Sequence, residues 1–101
     1  MITIIARFQC QEGKEDEGFA ALKKMAASVE EKEDGAVAYI AHRSIDNPQE
    51  IVFFEIYKDE DSMKAHGKSE HMAEMNSNFM KYFAPPVKIE KLERIGGFMR
   101  T

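Results

Sequence analysis

The sequence predicts an α+β domain, one antiparallel sheet with two helices on one of its faces. Four stretches rich in apolar and β-branched residues read as strands. Two stretches with apolar residues at helical spacing read as helices. They follow one another in the order β-α-β-β-α-β, which is the split βαβ, or ferredoxin-like, arrangement.

Residues 2–10, ITIIARFQC, are the first strand. Ile2, Ile4, Ala6 and Phe8 fall on one face, and Thr3, Ile5, Arg7 and Gln9 on the other. QEGKEDEG is a turn and helix entry, with acids where the helix dipole favours them. Phe19, Leu22, Met25, Ala26 and Val29 mark an amphipathic helix to about Lys32, which Asp34-Gly35 stops. Residues 36–45 are the second strand, Asp46-Asn47-Pro48 a turn, and residues 50–57, EIVFFEIY, the third strand. The third is the most hydrophobic and is expected to be central.

The second helix starts in Lys58-Asp59-Glu60-Asp61-Ser62, with Asp59 or Asp61 as its cap. Gly67 interrupts it, and Ser69 caps a continuation to about Tyr82, with Met72, Met75, Phe79 and Phe83 on its buried side. Pro85-Pro86 ends helical structure. Residues 87–95 are the last strand, where the apolar spacing shifts between Ile89 and Leu92 and suggests a bulge.

Composition narrows the function. A chain of 101 residues reads as a single domain, residues 1–101. At 44% hydrophobic and 32% charged it reads as a soluble globular protein. A net charge of −4 argues against nucleic acid and against an anionic membrane surface. No apolar run approaches the ~20 residues of a membrane span, and the Ile2–Ala6 stretch lacks the basic lead of a signal peptide. A lone cysteine, Cys10, suits a reducing compartment, so a cytoplasmic location is expected. Apolar residues on both sheet faces, Val37, Tyr39 and Val52 against Ala38, Ile40 and Phe53, predict a homodimer packed face to face, with Tyr39 or Phe53 at the interface.

Both His66 and His71 sit just past the end of the third strand, where such domains build pockets. A histidine titrates near ~6.5, so each can serve as a neutral base. Five residues place them about 140° apart on an unbroken helix, so they converge only if Gly67 breaks it. Tyr57 offers a ring face and a hydroxyl at the strand end. Arg7 either pairs with Glu55 or stabilises an anionic substrate oxygen. Met63 lies near the His66 face, and His42 reads as a dimer-face or edge residue. Three histidines and one cysteine show no zinc spacing, and there is no phosphate-binding glycine motif, so no metal and no cofactor is expected.

The element order and length resemble the antibiotic biosynthesis monooxygenase family, dimeric α+β barrels. So does the pattern Tyr57-Lys58-Asp59-Glu60-Asp61, Ala65-His66, Ser69-x-His71-Met72. The resemblance covers nearly the whole chain. It implies a cofactor-independent monooxygenase acting on a small quinol- or anthrone-like substrate and O2, with His66 and His71 as candidate bases and Tyr57, Arg7 and Met63 about the substrate. A haem-degrading branch of the family uses an Asn, a Trp and a His where this chain has Arg7, His66 and Asn76, so haem degradation is not expected. Some monooxygenase members carry aromatic residues where this chain has Tyr57 and Met63. The YKDED stretch is similar to a branch that isomerises a phosphorylated autoinducer-2 product. That activity, and a non-catalytic ligand-binding protein of the same fold, are the alternatives.

Overall fold

A computed structural model describes residues 1–100. The elements are β1 (Ile2–Cys10), α1 (Glu15–Lys32), β2 (Ala36–Arg43), β3 (Glu50–Tyr57), α2 (Glu60–Gly67), α3 (Glu70–Tyr82) and β4 (Phe83–Glu93). The four strands form one antiparallel sheet in the order β2-β3-β1-β4. The expected ferredoxin-like order holds, with the second helix divided in two at Gly67. The two most apolar strands, β1 and β3, occupy the centre.

Alternation decides what each strand buries. On β1, Ile4, Ala6, Phe8 and Cys10 are buried under the helices. On α1, Leu22, Met25 and Val29 recur at spacings of three and four and close over the same face. Phe8 stands at the middle of the core, with ring centroids 6.1 Å from Phe53, 5.3 Å from Phe79 and 5.1 Å from Phe83. Burying each such ring is worth about 1.5–3 kcal/mol. A Cβ added to Gly18 on α1 would stand 3.1 Å from the Phe83 ring, so the helix sits closer there than a larger residue allows.

Four expectations need correction. β2 ends at Arg43 and not at residue 45, because the Ser44 hydroxyl accepts the Asn47 amide and begins the turn. β4 begins at Phe83 and runs through Pro85-Pro86. It is an edge strand, where a missing N–H breaks no inner ladder. The irregularity lies opposite Arg7 and Gln9, near these prolines, and not between Ile89 and Leu92. Ile89 pairs with Ala6 and Leu92 with Thr3, so they point to opposite faces.

The placement of Tyr39 and Phe53 is the fourth correction. Their rings meet at 4.8 Å on the helix side of the sheet, and Phe53 is buried. The outward side instead carries Ile5, Ile40 and Phe54, neighbours across three strands, with Ile40 and Leu92 half exposed.

Candidate active site

Between the helix side of the sheet and helices α2 and α3 lies a cavity of about 520 Å³. Phe8, Phe53 and Phe79 wall it, with Met63, Met72 and Met75. At one end it turns polar, with Tyr39, Glu55, Tyr57 and His66. No Lys or Arg is among its lining residues.

Local sequence places His66. The Asp59 carboxylate accepts the Ser62 amide at 2.8 Å and starts α2, and Lys91 of β4 holds Glu60 at 2.6 Å. One turn later His66 is 8% exposed, with its ring 5.2 Å from Tyr39 and 5.4 Å from Tyr57. The chain then breaks. The Ser69 hydroxyl donates to the His66 carbonyl at 2.7 Å and accepts the Met72 amide at 3.2 Å, closing one helix and opening the next. The break brings His71 in α3 back toward His66, with ring centroids 6.3 Å apart.

What joins the two histidines is Glu33, the residue that ends α1. His66 Nδ1 donates to its carboxylate at 2.9 and 3.1 Å, and His71 Nε2 donates to the same carboxylate. All three side chains are about 10% exposed. A carboxylate only accepts, so each ring presents an N–H to it. His66 Nε2 is thereby left with its lone pair free. No buried side-chain polar atom among the described residues lacks a partner, so this nitrogen reaches open space, and the residue lines the cavity.

Glu33, His66 and His71 each place one donor atom within 4.8 Å of the others, a donor set suited to a divalent ion. A metal-bound imidazole ordinarily donates its second N–H to a carboxylate or a carbonyl. Here His66 Nε2 and His71 Nδ1 have no partner among the described residues. The cluster therefore fits a hydrogen-bonded triad better than a metal centre.

Across the polar end, the Tyr57 hydroxyl donates to Glu55 Oε1 at 2.6 Å. Burial pushes the Glu55 carboxyl above its ordinary value, against the pull of the Tyr57 hydrogen bond and of nearby His66. Burial likewise pushes both tyrosines up, Tyr57 with a further contribution from Glu55, so both stay phenols at neutral pH.

The structure brings His66, His71, Tyr57 and Met63 to one end of the molecule. Arg7 is not there. It points to the outward side of the sheet and pairs with Glu90 at 2.6 Å, so the expected Arg7–Glu55 pair does not form. Residues one apart on a strand face opposite ways, and Arg7 lies between the inward Ala6 and Phe8. His42 sits exposed, with Nδ1 3.0 Å from the Val52 carbonyl. Cys10 is buried, and burial pushes its thiol up, away from nucleophile chemistry. In the sequence Glu33 is one of a run of acids that reads as a solvated helix end, and Glu55 reads only as a partner for Arg7. Glu55 did carry a signal: a lone acid at an inward position of the most hydrophobic strand.

An α+β domain with an apolar cavity, and a histidine held by a carboxylate at one end, defines a small-molecule site. The antibiotic biosynthesis monooxygenase family model matches residues 1–78, and the chain belongs to that family. No curated protein matches the chain in sequence. Among solved structures, the chain is similar to Rv0793 from Mycobacterium tuberculosis at 25% identity and a TM-score of 0.83, covering 95% of this chain and 96% of that one. A Caulobacter crescentus protein named as a candidate antibiotic biosynthesis monooxygenase has a TM-score of 0.89 at 24% identity, covering 94% and 90%. At these identities the likeness speaks to fold. Among the described residues, no helix is long and apolar enough to cross a membrane.

Proposed function

We propose that the protein is a cofactor-independent monooxygenase of a flat, uncharged aromatic substrate of the quinol or anthrone kind. The observation that carries this reading is the pairing of an apolar, aromatic-walled cavity with one free imidazole nitrogen, His66 Nε2. A hydroquinone or anthrone needs a base near neutral pH, a dry slot for its rings, and O2. His66 takes the substrate proton, and Glu33 stabilises the imidazolium that results. His71 is a positioning residue that holds Glu33 from the other side. Tyr57 packs on His66 and orients Glu55. The resulting anion passes an electron to O2, and the two radicals combine. No flavin, haem or metal takes part.

The isomerase reading fits less well, because a phosphorylated substrate calls for cations and none lines the cavity. We further infer a cytoplasmic homodimer, with the outward row of Ile5, Ile40 and Phe54 packed on a second copy. The exposed apolar residues Ile95 and Phe98 add to the surface that a second copy would cover.

The test is oxygen uptake, aerobic against anaerobic, with anthrone and reduced menadione and without added NAD(P)H or flavin. Uptake is expected to match substrate loss. His66→Ala is expected to lower turnover by about 10²–10⁴-fold. Full activity in that variant sinks His66 as the base. No uptake with either substrate sinks the oxygenase reading.

A further inference from the structure

Glu55 is a buried acid that the first proton transfer does not use. It lies on β3 in the middle of the sheet, 7% exposed, and lines the cavity. One oxygen accepts the Tyr57 hydroxyl at 2.6 Å. The other has no partner among the described residues, and no polar side-chain atom among them is both sealed and unpaired, so this oxygen is open to the cavity. The groups facing it are Tyr39 from the neighbouring position of β2, Tyr57 from its own strand, His66 from α2, and Glu33 behind His66. Two are phenols, one is an imidazole and one is a second acid. No Lys or Arg among the cavity-lining residues reaches in to pair with it.

We propose that Glu55 is the proton donor that lets the second oxygen atom leave as water, a role that rests on the oxygenase reading above. An unpaired carboxylate in an apolar cavity is costly, and the neutral acid is the form such a place holds. His66 lines the same polar end, so the cavity contains one group free to accept a proton and one free to give it. Two titratable groups in contrasting environments divide base and acid work in this way.

The reaction balances with these two residues. The substrate carbon carries two hydrogens. His66 Nε2 takes one, and the carbanion combines with O2 and receives that proton back, giving a hydroperoxide, R(H)–O–O–H. His66 then takes the second C–H proton. The C–H electron pair forms the C=O bond, and the O–O bond breaks. The departing hydroxide takes the Glu55 proton and becomes water. A proton passing from the His66 imidazolium to the Glu55 carboxylate restores both groups. The sum is RH2 + O2 → R=O + H2O: the carbon is oxidised and O2 supplies both the carbonyl oxygen and the water.

The test uses the whole chain, with anthrone as probe, and follows three quantities: oxygen consumed, anthraquinone formed and peroxide released or bound. In the wild-type protein oxygen uptake and anthraquinone formation should keep pace. Glu55→Gln keeps the shape and the Tyr57 contact but cannot serve as an acid. It should still consume oxygen while anthraquinone formation falls by about 10²–10⁴-fold and peroxide accumulates. Glu55→Asp, shorter but still an acid, should couple better than Gln. Tyr57→Phe removes the hydroxyl that orients Glu55 and should uncouple the two rates in part, less than Glu55→Gln does. Binding of anthraquinone by calorimetry shows that each variant keeps its cavity. Anthraquinone formation by Glu55→Gln at the wild-type rate overturns the donor role and leaves the oxygenase reading standing. Equal uncoupling in Asp and Gln also overturns it, because the acid would then not be what matters. If the wild-type protein consumes no oxygen with anthrone or reduced menadione, the oxygenase reading falls and the donor role falls with it.

Discussion

The two sides of the sheet are built from the same strands by the same alternation, yet they do different work. The helix side gathers Phe8, Phe53 and Phe83 into a core and then sets Tyr39, Glu55 and Tyr57 against His66 at one end. The outward side carries the apolar row Ile5, Ile40 and Phe54 beside an exposed ion pair, Arg7 with Glu90. A charge on the first side is buried and must find a partner or lose its charge. A charge on the second side meets water and costs little. The physical setting, more than the residue type, decides whether an acid becomes chemistry or decoration.

One substitution made on both sides tests the contrast most strongly. Phe53→Lys places a cation in the core and is expected to cost at least about 3–5 kcal/mol, the range for losing a core aromatic alone. Thermal melting should show it unfolded or severely destabilised. Ile40→Lys on the outward side should leave the fold of a single chain within about 0.5 kcal/mol, while light scattering should show a weakened dimer. Equal loss of fold in both variants would erase the distinction between the faces.

Glu55 sharpens the contrast through pH. Its carboxyl is raised in the folded protein by burial. Below the ordinary glutamate value of ~4.3 it is protonated both folded and unfolded, and it costs nothing. As pH rises, the unfolded chain ionises freely and the folded one does not, so stability is lost until the folded group titrates. Glu55→Gln removes that loss. Its Tm relative to wild type should therefore rise from acid to neutral pH. A constant difference across that range would mean that the carboxyl is not perturbed.

The smallest effect belongs to Arg7. Its pair with Glu90 is solvent-exposed on both sides, and such pairs are worth about 0–1 kcal/mol. Arg7→Ala should shift urea midpoints little and leave anthraquinone binding unchanged. A large loss of binding would place Arg7 in the site after all.

Much of the fold was legible in the sequence because its signals are local. Period-two alternation, the Asp59 and Ser69 caps, and the stop at Gly67 each depend on a few neighbouring residues. Which face of the sheet meets the helices is not a local property. In the sequence Tyr39 and Phe53 read on opposite faces; the strand register brings both to the helix side, and both faces are apolar. The site was legible in half. The HGKSEH stretch carries both the break and the two rings. Glu33 lies 33 residues before His66 in an acidic run, and only the folded chain brings it between them.

The break between α2 and α3 also limits how this stretch can drift. Residue identities there are partly free, because Gly67 has nothing within 4 Å of where a Cβ would stand. Length is not free. One residue inserted inside the first turn of α3, between the Ser69 cap and His71, turns everything after it by about 100° relative to that cap. His71 would then swing away from Glu33, and the methionines and Phe79 would leave the cavity wall together. The stretch can therefore change its letters over generations while its count stays constant, and an alignment gap at this point would mark a relative that has given up the shared carboxylate.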